Sequence, residues 1–109
     1  MSETENKKLV TIVVQRKDGQ KAVDAVLAAG ASGVTFYYGR GTGVRQKLGL
    51  LGRFIEAEKQ VILAVVPSDC CGKVMAALEK SVDLGRPGRG FAYVQAVEHV
   101  LGFYGEEHE

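Results

Sequence analysis

No apolar run in the chain approaches the ~20 residues that a membrane-spanning helix requires. The first eight residues, MSETENKK, also lack the apolar segment of a signal peptide. Net charge is nearly absent too: 14 lysines and arginines against 13 aspartates and glutamates leave +1, which argues against a general polyanion binder. There are only two histidines and two cysteines. His99 and His108 have no partner at a metal-ligand spacing, and His108 lies in an acidic tail. Cys70 and Cys71 are adjacent, whereas zinc ligands are usually separated by at least two residues. We read them as small side chains in the first turn of a helix, one of them buried; a vicinal redox pair is the other reading. No serine or cysteine stands in a nucleophile-elbow pattern, and no sequence-local pair suggests an acid–base couple. The expectation is a cytoplasmic binding protein, not an enzyme, with no catalytic residue, no metal and no insertion into a membrane.

The 109 residues are 46% apolar, enough for a single domain with one core. We place that domain at 9–105, between a disordered tail at 1–8 and an acidic tail at 106–109. LVTIVVQ (Leu9 to Gln15) is β-branched and predicts a central strand. Asp18 is a candidate N-cap for a helix with Ala22, Val23, Val26 and Leu27 on one face, and Gly30 suits the left-handed position after it. GVTFYY (Gly33 to Tyr38) and KQVILAVVP (Lys59 to Pro67) read as strands. Ser68 or Asp69 can cap a second helix carrying Cys71, Val74, Met75, Leu78 and Val82 at helical spacing. DLGRPGRG, with three glycines and a proline, must be a loop, and FAYVQAVEHVL (Phe91 to Leu101) reads as the last strand.

Strand, helix, strand, strand, helix, strand predicts the α+β ferredoxin-like arrangement, an antiparallel sheet with both helices on one face. The strands are apolar on both parities, Leu9, Thr11 and Val13 alternating with Val10, Ile12 and Val14. Such strands are buried on both sides, which a lone two-layer domain cannot provide, so a homotrimer with its sheets facing inward is expected.

The most unusual stretch is GRGTGVRQK (Gly39 to Lys47), glycines interleaved with cations. It has neither the G-x-G-x-x-G fingerprint nor a P-loop spacing. Backbone amides in a Gly-rich turn can nevertheless form an anion-binding concavity, with Arg45 and Lys47 adding charge-assisted contacts. RGFAYVQA (Arg89 to Ala96) matches most of an RNA-recognition signature whose aromatics stack on bases. It falls on the last strand instead of the third, and Ala96 replaces the closing aromatic. We therefore expect no nucleic-acid partner and keep RNA binding as an alternative.

In order and spacing the motifs resemble those of the PII signalling family, from Leu9 to Gly105. AVLAAGASGVT looks like the end of the family's first helix and the start of its second strand. GRGTGVRQK is similar to the G-x-G-R-Q-K that opens its long T-loop, with one extra residue. VILAVVPSD looks like its third strand, and LGRPGRGF is similar to its B-loop. The resemblance implies a homotrimer holding adenine nucleotide (ATP, ADP or AMP) in clefts between subunits, as a regulatory ligand and not as a catalytic cofactor. Carried over by position, Gly33, Val34 and Thr35 would line the adenine with Val65 behind. Gly43, Arg45 and Gln46 would form the T-loop side, and Gly85, Arg86, Gly88, Arg89 and Gly90 the B-loop side.

The family's B-loop lysine is replaced here by Phe91, and two C-terminal arginines by Gly102 and Tyr104. ADP or AMP thus becomes as plausible a ligand as ATP, with Arg86 and Arg89 as compensating cations. The T-loop is short and has no tyrosine, which excludes uridylylation at the usual residue, and the resemblance does not carry 2-oxoglutarate sensing over. Leu50, Leu51, Phe54 and Ile55, within Leu48 to Glu58, are an apolar cluster suited to docking a target. That target would be a membrane transporter or an enzyme, for an inorganic ion such as bicarbonate. A nucleotide-free trimer related to CutA-type proteins is a further alternative.

Overall fold

The β-branched run that begins at Leu9 builds the central strand. In a computed structural model of the chain, which describes residues 6–41 and 57–103, β1 (Lys7–Gln15) pairs antiparallel with two neighbours. One is β3 (Ala57–Pro67) and the other β4 (Gly90–Ala96); β2 (Thr35–Gly41) adds to the far side of β3. The four-stranded order is therefore β2-β3-β1-β4. Between the strands lie α1 (Gly19–Ala28) and α2 (Cys71–Val82), each entered through a short 3-10 turn, Arg16–Asp18 and Ser68–Cys70. The element order and α+β class are those that the sequence predicts.

One face of the sheet carries the core. Val10, Ile12 and Val14 of β1 and Ile62, Ala64 and Val66 of β3 are buried against Ala22, Val23 and Val26 of α1. Val74, Leu78 and Val82 of α2 complete the layer. Ile12 lies opposite both Ile62 and Ala92, so the helix-facing parity of three strands coincides. Full burial of each such side chain contributes about 1.5–3 kcal/mol.

The opposite face has no helix over it among the described residues and is also apolar. Leu9, Thr11 and Val13 lie between Val65, Leu63 and Val61 on one side and Gln95, Tyr93 and Phe91 on the other. Tyr37 extends the row beyond Val61. Tyr37, Phe91 and Tyr93 are each about half exposed in the single protomer. The rings of Phe91 and Tyr93 stack, with centroids 6.3 Å apart.

The structure departs from sequence expectation at several boundaries. β1 begins at Lys7, inside the segment expected to be a tail, because Lys7 and Lys8 still find partners in Pro67 and Val66. β4 stops at Ala96, short of Leu101, close to where its partner strand begins: Ala96 lies opposite Lys8, and the Val97 amide donates to the carbonyl of Lys7, the first residue of β1. Neither Ser68 nor Asp69 caps α2. Both are taken up in the 3-10 turn, and the residue before the helix is Cys70, with no side-chain cap bond. Asp18 does precede α1 but makes no cap bond either. Leu27 points to solvent at 41% exposure, and Ala25 takes its place among the buried residues. Gly30 has the expected positive φ, +128°. Neither cysteine is fully buried: both are half-buried and free.

Gly90 opens β4 at φ +132°, and a Cβ there would collide with the Val13 carbonyl oxygen. Gly90→Ala is therefore expected to destabilise the fold by about 2–5 kcal/mol, from backbone strain plus overpacking against a main chain that cannot yield. Gly39→Ala, with open space around it, should change stability by less than about 0.5 kcal/mol. Urea unfolding of the two variants measures the difference.

Candidate functional site

The predicted ligand residues that the structure describes fall at two ends of the sheet. At the first end, α1 gives way to Gly30–Val34, held by the Gly30 amide donating to the Leu27 carbonyl and the Ala31 amide to that of Val26. This return segment meets the open face where Leu9 pairs with Val65 and Leu63 with Thr35. A cavity of about 470 Å³ lies there, lined by Leu9, Ser32, Gly33, Val34, Thr35, Leu63, Val65 and Phe103. All four residues expected around an adenine (Gly33, Val34, Thr35 and Val65) border it. Its lining is apolar apart from two hydroxyls and the backbone, the character of a pocket for a flat, weakly polar group.

At the second end, the loop between α2 and β4 packs beside the C-terminal half of β1. α2 ends on Asp83 in the left-handed conformation, which aspartate tolerates better than most residues. Two successive turns follow, the Arg86 amide donating to the Asp83 carbonyl at 3.0 Å and the Arg89 amide to the Arg86 carbonyl at 3.3 Å. Gln15 fixes the tip of the loop by donating from Nε2 to the Gly88 carbonyl at 2.9 Å. Gly85 and Gly90 border a smaller cavity under the loop, with Leu78, Leu84 and Phe91 among its walls.

The two arginines of this loop have different roles. Arg86 projects into solvent, 72% exposed, with Asp83 at 3.5 Å. Arg89 turns inward: its Nε donates to the Val82 carbonyl at 3.4 Å, and its Nη2 lies 3.8 Å from Asp18 Oδ2. The Asp18 side chain is only 6% exposed, and that oxygen has no hydrogen bond among the described residues. Its carboxylate therefore serves the Arg89 guanidinium, which explains why it does not cap α1. Arg89 braces the loop against α1.

Gly90 lies opposite Val14 and Val65 opposite Leu9, five residues apart on β1, or roughly 17 Å along the strand. The first cavity contains no residue of the loop. Gly43, Arg45 and Gln46, and the docking cluster Leu50, Leu51, Phe54 and Ile55, lie outside the described residues. Sequence reasoning missed Phe103, Ser32, Leu9 and Leu63 on the cavity, and Gln15 and Asp18 as partners of the loop. The parity of β1 and β3 could have found Leu9 and Leu63; no local signal marks the others.

The cysteines lie at the start of α2, with the Cys70 sulfur packed against Gly30 at the head of the return segment, and neither borders a cavity described above. Burial pushes the Cys71 thiol above its ordinary pKa, Cys70 and Asp69 add to the shift, and Lys8 opposes it. A raised pKa is the opposite of what an activated thiolate needs. Among the described residues no group of histidine, cysteine or acidic side chains could hold a metal, and no helix is long and apolar enough to cross a membrane.

With this geometry in view, the family model of the nitrogen regulatory protein P-II matches residues 7–107, nearly the whole chain. The chain belongs to the PII family. Among solved structures, it is similar to PII of Arabidopsis thaliana bound to citrate, at 25% identity and a TM-score of 0.70 over 95% of this chain and 92% of that one. No curated protein matches it.

Removing Arg89 leaves Asp18 as a buried, unpaired carboxylate. Arg89→Ala is expected to cost about 1–3 kcal/mol of stability with no ligand present, against less than about 0.5 kcal/mol for the exposed Arg86→Ala. Adding Asp18→Asn to Arg89→Ala should restore part of the loss. Thermal unfolding of the three variants measures it.

Proposed function

We propose that the chain is a PII-type signal-transduction protein that binds adenine nucleotide between subunits of a trimer and reports its occupancy to a target. The observation that carries this reading is the cavity. Four residues assigned to the base by resemblance border one apolar space, while the glycine-rich loop assigned to the phosphates lies at the other end of the same sheet. One protomer thus offers two half-sites, and a second copy is needed to bring a base half against a phosphate half. The apolar open face, with Tyr37, Phe91 and Tyr93, supplies the surface for that assembly. Arg86 and Arg45 are the cations proposed for the phosphates; Arg89 supports the loop that carries Arg86.

The segment with Leu50, Leu51, Phe54 and Ile55 is the proposed docking element, starting beside the T-loop residues Gly43, Arg45 and Gln46. A nucleotide there shifts its conformation only by its differential affinity for two states. The proposed target is a membrane transporter or an enzyme, with an inorganic ion such as bicarbonate as the regulated species. The role is regulatory, in the cytoplasm, without catalysis.

The stacked, half-exposed Phe91 and Tyr93 favour a second reading, in which the open face stacks RNA bases. Titration calorimetry on the full chain separates the readings. ADP, ATP or AMP should bind, and Arg45→Ala and Arg86→Ala should each weaken binding by about 1.5–3 kcal/mol where the contact is desolvated, less where it is exposed. Binding of a short RNA with no response to nucleotide would favour the second reading. A trimer that binds neither would point to a CutA-like protein.

A further inference from the structure

Phe103 borders the first cavity and Lys7 stands over its ring, and the nucleotide reading does not use either. Phe103 lies beyond the last strand. Gly102, at φ +79°, makes a left-handed turn that side chains other than glycine adopt with strain. The preceding Leu101 is 81% exposed, whereas Phe103 is half-buried and forms part of the cavity wall. The turn thus carries one aromatic ring back onto the end of the sheet. Lys7 opens β1 with its backbone fixed on both sides: it pairs with Pro67, and its carbonyl accepts from the Val97 amide. It shares strand parity with Leu9, which also borders the cavity. Its Nζ lies 5.4 Å from the centroid of the Phe103 ring.

This partner matters for charge. The guanidinium of Arg89 faces a buried carboxylate and that of Arg86 faces Asp83. A ring holds an ammonium in place through its quadrupole without neutralising it. No residue lining the cavity is charged. The ring that walls this apolar space thus carries an ammonium on it whose charge it leaves intact.

We infer that Phe103 and Lys7 form a clamp for a planar heterocycle bearing an anionic group, the ring of Phe103 stacking on the base and the Lys7 ammonium pairing with its phosphate. The inference rests on the adenine-nucleotide reading and adds to it. The clamp lies on the base half-site, so it acts on the phosphate closest to the nucleoside, whereas the glycine-rich loop serves the distal phosphates. AMP and ADP should both feel Lys7, and adenosine should not.

The test titrates adenosine, AMP and ADP into the full chain and four variants. Phe103→Ala should weaken all three by about tenfold, the loss expected of one base–aromatic stack, and Phe103→Tyr should bind like the unsubstituted chain. Lys7→Gln should weaken AMP and ADP by about three- to tenfold and leave adenosine unchanged, with Lys7→Arg restoring most of the loss. The AMP affinity of Lys7→Gln should also fall less steeply with added salt than that of the unsubstituted chain. Equal losses for adenosine and AMP in Lys7→Gln, or unchanged affinities in Phe103→Ala, would overturn the clamp alone. An unsubstituted chain that binds none of the three would overturn the nucleotide reading, and the clamp with it.

Discussion

A four-stranded sheet that is apolar on both faces, with the described helices over only one of them, constrains everything else in this protein. The helix-covered face is satisfied within the protomer: Val10, Ile12, Val14, Ile62 and Val66 are fully buried there. The other face carries Leu9, Val13, Val61, Leu63 and Val65 between the rings of Tyr37, Phe91 and Tyr93. Soluble monomers rarely leave a contiguous apolar patch of more than a few hundred Å² uncovered. The open face accounts for the apolar character of both strand parities, and it decides where the candidate site can lie. The first cavity borders one end of it, at Leu9 with Val65; the smaller one, walled by Leu78, lies at the other end of the sheet, on the helix-covered side where Gly90 meets Val14.

The glycine-rich loop shows how a flexible composition becomes a fixed shape. Two chain turns set its path, Gln15 holds Gly88, and Gly90 enters β4 where no side chain fits over the Val13 carbonyl. The Asp18–Arg89 pair ties the same loop to the start of α1. A buried carboxylate facing a partly exposed guanidinium is of modest net benefit in itself; its consequence is that one loop conformation is selected. The cations then divide into two sets. Arg89 and Arg86 each face a carboxylate, of Asp18 and Asp83, whereas Lys7 faces the ring of Phe103.

Much of this was legible in the sequence, and the misses have physical causes. A β-branched run located β1, apolar and aromatic runs located the other described strands, and the spacing of Val74, Leu78 and Val82 identified the buried face of α2. Boundaries set by partners were not legible: β4 ends at Ala96, close to where β1 begins at Lys7, which no local pattern announces. Capping failed at Ser68, Asp69 and Asp18 for two reasons. A 3-10 turn displaced the start of α2, and a guanidinium distant in sequence claimed the Asp18 carboxylate. Gly33, Val34, Thr35 and Val65 were placed by resemblance, and register brings them to one cavity. Phe103 and Lys7 were invisible because 96 residues separate them and only the fold brings the ring under the ammonium.

The open face is tested most directly by the mass of the particle in solution. Sedimentation equilibrium of the full chain at micromolar concentration should give three times the chain mass of 11.7 kDa. Replacing Val13 by aspartate, at the centre of the uncovered face, should shift that mass toward the single chain while the helix-side core remains folded. A single-chain mass for the unsubstituted protein under the same conditions would contradict the assembly, and with it a ligand site completed by a second copy.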